Sequence, residues 1–229
     1  MHRGLVAWFE VSSSQDRGRG RTPGSKRAEI LSAATERFGR DGYEDTKWAD
    51  IAADVGVGPT ALYHYFESKQ HCLFVIMADA LGDFHSRFER IAASEPSFIR
   101  VLELVLADVF DITAHDVQRL RVLVAEQGLL ARPRRSPREE EARQAARART
   151  RDLEIAWATF LARAMEHGAL PEGNPRLLAR AALGLYNSIW HWYRPDGVVS
   201  LDFVTAFFTA SLLQLLGVDR DAIAEVIAA

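Results

Sequence analysis

The chain is poor in cysteine and lysine and has no long apolar run. Cys72 is the single cysteine among 229 residues, which excludes an intramolecular disulfide framework and a cysteine-ligated zinc cluster. On an apolar helix a lone thiol is expected to serve packing rather than redox chemistry. No stretch approaches the ~18 apolar residues of a membrane span, and Leu5–Phe9 supplies only five, too few for the apolar core of a secretory signal. Alternating Val, Ile or Tyr bounded by hairpin turns is missing too, so no strand is expected. The phosphate-loop, zinc-protease and nucleophile-elbow patterns (Gly-x4-Gly-Lys-Ser/Thr, His-Glu-x-x-His, Gly-x-Ser-x-Gly) do not occur. Gly18-Arg19-Gly20 follows no strand and is not a dinucleotide loop. His64 and His71 stand seven apart without a third ligand, so neither a metal site nor a cofactor is expected, and no nucleophile–base pair marks an enzyme.

Hydrophobic residues make up 48% and charged residues 26%, a balance that supplies a real core and fits a soluble, cytoplasmic protein of one large or two small domains. Charge is unevenly placed. Arg17, Arg19, Arg21, Lys26 and Arg27 give residues 17–27 a charge of +5, and residues 132–151 hold eight Arg against Glu139, Glu140 and Glu141, another +5. Both islands lie in a chain of net charge −3, which leaves nucleic-acid contact open without requiring it. The second island is expected to be a solvated helix face rather than a second DNA surface.

Almost everything after residue 24 reads as helix. Ala28, Ile30, Leu31, Ala34 and Phe38 follow helical spacing up to Asp41-Gly42, where Gly accepts a left-handed cap. Helices are expected next over about 47–55, N-capped by Thr46, over 59–65 with Pro59 at the first helical position, and over 68–93. Phe98, Leu102, Val105, Leu106 and Val109 mark another, and a shorter one runs to about 131. Ser136-Pro137-Arg138-Glu139 reads as a capping box that starts a helix to about 168, with Leu153, Ala156, Trp157, Phe160, Leu161 and Ala164 as its buried stripe. Asn174-Pro175 opens a helix to about 193, and the last spans 201–217. The expectation is an all-α chain of about nine helices.

Residues 46–69 carry the function. Two short helices joined by Gly56-Val57-Gly58 form a helix-turn-helix, pinned to the first helix through Ile51, Ala52, Val55, Val57 and Leu62. Spacing alone leaves a plain helical corner equally open. Residues 26–80, however, resemble the DNA-binding domain of the tetracycline-repressor (TetR) family. The matching residues are Ala34 and Phe38, Gly42-Tyr43-Glu44-Asp45-Thr46, Ile51-Ala52, Val55-Gly56-Val57, Leu62-Tyr63-His64-Tyr65-Phe66 and Ser68-Lys69.

This resemblance implies that Thr46 caps the second helix and offers its hydroxyl or N–H to a phosphate. It also implies that Thr60, Ala61 and His64 face the major groove, that Tyr63 and Tyr65 lie near the backbone, and that Lys69 meets a phosphate. Lys47, Gly58 and Pro59 belong to the same implied DNA surface. Gly58 stands at the N-cap where the family usually has Ser or Thr, so one hydroxyl is missing there. Arg17, Arg19 and Arg21 precede the domain either as an arm along DNA or in its minor groove, or as a solvated tail.

Farther on, residues 201–216 hold eleven apolar members of sixteen, and a helix apolar all round needs cover that a second subunit naturally provides. Phe203, Phe207 and Phe208 are the candidate homodimer contacts. Phe84, Phe88, Leu106, Phe110, Trp157 and Phe160 are the candidate lining of a cavity. Trp190-His191-Trp192-Tyr193-Arg194-Pro195-Asp196-Gly197 is similar to the corresponding segment of TetR-type regulators of lipid, sterol and acyl-coenzyme-A breakdown. That points to a mostly apolar effector such as an acyl-coenzyme A.

The expectation is therefore a ligand-responsive, homodimeric repressor released from a palindromic double-stranded operator, with no membrane partner. Its parts are a basic tail over 1–24, a helix-turn-helix domain over 25–70 and a ligand-binding and dimerisation domain over 71–229. The alternative is a small-molecule-binding helical protein without a regulatory DNA site.

Overall fold

The computed structural model describes residues 23–95 and 97–218. Residues 1–22 of the expected tail, with Arg17, Arg19 and Arg21, lie outside the described residues, and α1 already begins at Pro23. Nine α-helices and one short 3-10 helix make up the described chain, which contains no strand. They are α1 (Pro23–Asp41), α2 (Trp48–Asp54), α3 (Pro59–Leu62), α4 (Lys69–Ser94), α5 (Phe98–Phe110), α6 (Ala114–Ala125), the 3-10 helix Gln127–Ala131, α7 (Pro137–Glu166), α8 (Pro175–Trp192) and α9 (Leu201–Leu216). Among the described residues no helix is long and apolar enough to cross a membrane.

Local signals set most of the ends. Ser68, Ser97, Asn174 and Ser200 each accept a backbone N–H of the first turn, which satisfies a donor that has no partner within the helix. Gly42 closes α1 at φ 93°. Two signals read differently in three dimensions. Thr46 does not cap α2: the N-cap is Lys47, without a side-chain bond. Ser136 makes no cap bond either. Its hydroxyl donates to Glu67 instead, and Glu139 accepts from Ser68, so both members of the expected capping box reach across the fold. A complete box stands where none was expected, at Thr113 and Asp116 of α6.

The first three helices sit on a core that extends beyond them. Ile30, Ala34, Phe38, Ile51, Ala52, Leu62 and Phe66 are buried together with Cys72, Leu73, Phe74 and Met77 of α4. Val122 and Leu123 of α6 and Ala142 and Ala146 of α7 complete the same cluster. The Cys72 thiol is fully buried, and burial raises its pKa, so it serves packing as expected. The remaining helices bury three further clusters, among them one in which Phe88, Val101 and Val105 pack against Trp157 and Phe160.

Candidate nucleic-acid interface and effector cavity

α2 is held on α1 by polar bonds at its C-terminal end. Arg37 donates twice to Asp54, at 2.5 and 2.7 Å, and this pairing holds the Asp54 carboxyl below its usual pKa. Lys26 Nζ reaches Glu29 at 2.6 Å and the Val55 carbonyl at 3.0 Å. α3 then starts at Gly58, an extended N-cap without a side-chain bond, followed by Pro59 at the first helical position. It is shorter than the expected 59–65. The helix ends at Leu62, and tight turns carry the chain on, with His64 N–H donating to Ala61 and Tyr65 N–H to Leu62.

Leu62 and Phe66 point into the core. Thr60 and His64 are exposed, and Tyr63 is 54% exposed. Lys47 is exposed at the start of α2. Gly58 and Pro59 are exposed, Ala61 is half-buried, and Tyr65 packs partly on the core. The result is a short ridge whose hydroxyls and imidazole lack partners among the described residues, the arrangement that base edges and phosphates require.

Two members of the implied DNA surface turn inward. Thr46 is buried; its hydroxyl donates to the Gly42 carbonyl at 2.7 Å and its N–H to the same oxygen at 3.3 Å. Neither group is left for a phosphate. Lys69 Nζ donates to the carbonyls of Tyr43, Glu44 and Thr46 at 2.6, 3.3 and 2.9 Å, and lies 4.2 Å from the centre of the Tyr43 ring. An ammonium has three donors, and all three are occupied. Lys69→Met is therefore expected to destabilise the protein by about 1–3 kcal/mol, because three carbonyls lose a charged partner. It should leave the salt dependence of DNA binding unchanged. A full-strength melting transition with a flattened salt slope would return Lys69 to the phosphates.

A cavity of about 260 Å³ lies inside the bundle formed by α4 to α9. Phe84, Phe88, Leu106 and Trp157 line it, as the sequence suggested. Phe110 and Phe160 do not. Phe110 packs edge-on against Tyr186, and Phe160 stacks on Phe98 and meets Phe88 edge-on behind the wall. The polar lining was not foreseen: Asp108, Gln127, Thr150, Glu154, Arg180, Tyr186 and Asn187. Asp108 pairs with Arg87 at 3.1 Å and Glu154 with Arg180 at 3.1 Å. The Tyr186 hydroxyl donates to the Val109 carbonyl at 2.9 Å, and burial raises its pKa. No helical periodicity marks these residues, because they are spread over several elements. Among the described residues no group of three or more His, Cys, Asp or Glu could hold a metal ion.

Two stretches of the chain match two family models. Residues 30–76 match the tetR family of bacterial regulatory proteins. Residues 101–216, over half of the chain, match the tetracyclin repressor-like C-terminal domain.

The chain belongs to the TetR family.

Among TetR-family relatives, the transcriptional repressor KstR2 of Mycobacterium tuberculosis is 27% identical over 194 residues, covering 82% of this chain and 92% of that one. The fatty acid metabolism regulator protein of Bacillus subtilis is 29% identical over 91 residues, 40% of this chain and 47% of that one. In structure, the TetR-family regulator PfmR of Thermus thermophilus superposes with a TM-score of 0.65 at 26% identity, over 83% of this chain and 99% of its own. The reading as a DNA-binding transcriptional regulator holds.

α9 corrects one dimer assignment. Phe208 is 8% exposed and packs within its own protomer against Trp192, whereas Phe203 and Phe207 are 65% and 57% exposed. They belong to an exposed apolar set that includes Leu215 on α9 and Leu177 and Trp192 on α8.

Proposed function

We propose that this TetR-family chain is a cytoplasmic, homodimeric repressor that releases a palindromic operator when a mostly apolar molecule enters the cavity. The observation that carries the reading is the ridge of Thr60, Tyr63 and His64, exposed on a rigidly held helix-turn-helix and without partners among the described residues. Thr60 on α3 and His64 on the turn that follows it are both exposed, where they would meet base edges. Lys47 and Tyr63 flank them for the backbone. The exposed apolar faces of α8 and α9, with Phe203 and Phe207, supply the two-fold contact. Residues 25–70 then act as the reading head and residues 71–229 as effector and dimer domain.

The cavity suits an acyl group, with Phe84, Phe88 and Trp157 around its apolar body and the Glu154–Arg180 pair beside a polar head group. An acyl-coenzyme A thioester has both parts, and two relatives are named for repression and for fatty acid metabolism. Release would be a population shift: DNA affinity falls only by the effector's preference for the state with mismatched head spacing.

The test is selection from a pool of random-sequence duplexes. The full chain is expected to select a palindrome with half-sites about one helical turn (~34–36 Å) apart or farther. Thr60→Ala and His64→Ala should change the selected bases, each base contact being worth ~1–3 kcal/mol of discrimination. Addition of acyl-coenzyme A thioesters of graded chain length should release the selected duplex. Unchanged selection by both variants would remove α3 as the reading element.

A further inference from the structure

Eight arginines between residues 132 and 151 resemble a solvated helix face in the sequence. In the structure their loop lies against the reading head. The Ser136 hydroxyl donates to Glu67, Glu139 accepts from Ser68, and Arg138 Nε stands 3.7 Å from Glu67. Glu67 follows His64 by three residues, so this loop is fastened beside the turn that ends the reading ridge. Arg135 neighbours Ser136, about 3.8 Å away between Cα atoms.

The arginines of this segment divide into occupied and free. Arg143 is buried and donates to Glu140 at 2.8 and 2.5 Å and to the Leu130 carbonyl at 2.5 Å. Arg134 donates to the Leu129 carbonyl and lies over the Phe74 ring. Arg132 and Arg135, by contrast, are exposed and have no side-chain partner among the described residues. Glu67 has Arg138 beside it and Glu140 pairs with Arg143, and no ion pair joins Arg132 or Arg135 to an acid among the described residues. Arg27, over the Phe66 ring at 5.1 Å, adds an exposed cation beside the same edge of the head.

We propose that Arg132 and Arg135, on the loop of the effector domain docked at Glu67 and Ser68, contact the DNA phosphates that flank each half-site. The inference rests on the regulator reading but extends the DNA surface into the other domain. Duplex DNA presents one charge per ~1.7 Å of its axis, so the backbone continues past the groove that α3 occupies, on the side where this loop sits. These contacts carry no base preference. They strengthen binding only when duplex extends beyond the palindrome. They also tie affinity to the effector domain, because a shift of α7 against α4 withdraws the two guanidiniums directly.

The experiment uses the full chain and the palindrome it selects, prepared as a fragment trimmed to the half-sites and as one extended by a helical turn (~10 base pairs) on each side. Wild type is expected to bind the extended fragment more tightly and with a steeper dependence on salt. In Arg132→Gln/Arg135→Gln that difference should vanish. Each phosphate left without its cation lowers the log–log slope by ~0.9, so four per dimer lower it by up to ~3.6. The trimmed fragment should bind both proteins alike, and matching melting temperatures would show that the fold is intact. Equal slopes for the two proteins on the extended fragment would overturn the inference alone. A variant that keeps its DNA slope but loses binding to phosphatidylglycerol vesicles would overturn it too and reassign the loop to a lipid surface. Failure of the wild type to select any duplex would remove the regulator reading itself.

Discussion

Phe207→Glu is expected to turn the dimer into monomers of 25.6 kDa and to abolish tight operator binding. Phe207 and Phe203 are exposed on α9, as Leu177 and Trp192 are on α8. Burying one Phe is worth ~1.5–3 kcal/mol, and a two-fold axis counts the substitution twice. The loss of ~3–6 kcal/mol corresponds to roughly a hundred-fold to ten-thousand-fold in the dimer constant, before the penalty for facing two carboxylates across the axis. A lone head holds half the DNA surface, so the operator is lost along with the dimer. Sedimentation velocity and DNA titration on the same sample measure both effects. Phe208→Glu makes the contrast: it places a charge inside the protomer and should unfold it. If Phe203→Glu and Phe207→Glu both stay dimeric, the interface lies elsewhere.

Gly39→Ala should both destabilise the protein and weaken DNA binding, although residue 39 belongs to neither the reading ridge nor the cavity wall. α1 and α6 cross so closely there that a Cβ on residue 39 would lie 2.6 Å from the Gln118 Cβ and 2.8 Å from its Cα. A side chain can rotate away, but a Cα cannot, so the two helices must separate. Overpacking of this kind costs about 1–3 kcal/mol, and each kcal/mol lowers the melting temperature by ~2–4 °C in a chain of this size. α1 carries α2 with it through Arg37 and Asp54, so the separation re-aims the reading ridge against the effector domain. Calorimetry and titration of the selected duplex check the two effects. A melting temperature equal to wild type would show that the helices give way at no cost.

Much of this was legible because it was local. Pro59 after Gly58 and Asn174 before Pro175 mark helix starts by chemistry that acts within one turn. The helix-turn-helix showed through its glycine turn and through Ile51, Ala52 and Leu62, whose spacing matches the buried face. What failed was partner choice. Ser136 and Glu139 have the spacing of a capping box, but Glu67 and Ser68, some seventy residues away, compete for them and win. The family resemblance implied a phosphate contact for Lys69; the carbonyls of Tyr43, Glu44 and Thr46 enclose it instead. In α9, apolar residues on every side erase the asymmetry that would separate buried Phe208 from exposed Phe207. The polar groups of the cavity stayed hidden because several elements contribute them one or two at a time.

The core beneath the reading head also limits how such a protein can be recombined. Phe38 and Phe66 share one cluster with Phe74 of α4, Val122 of α6 and Ala146 of α7. These pieces are scattered from one end of the described chain well into α7, so no single crossover carries them together. A head grafted at residue 70 onto a foreign partner would expose much of that cluster and depend on a chance fit to cover it. New effector specificity is then reached more readily by point changes in the cavity wall, at Phe84 or Trp157, than by exchange of whole domains.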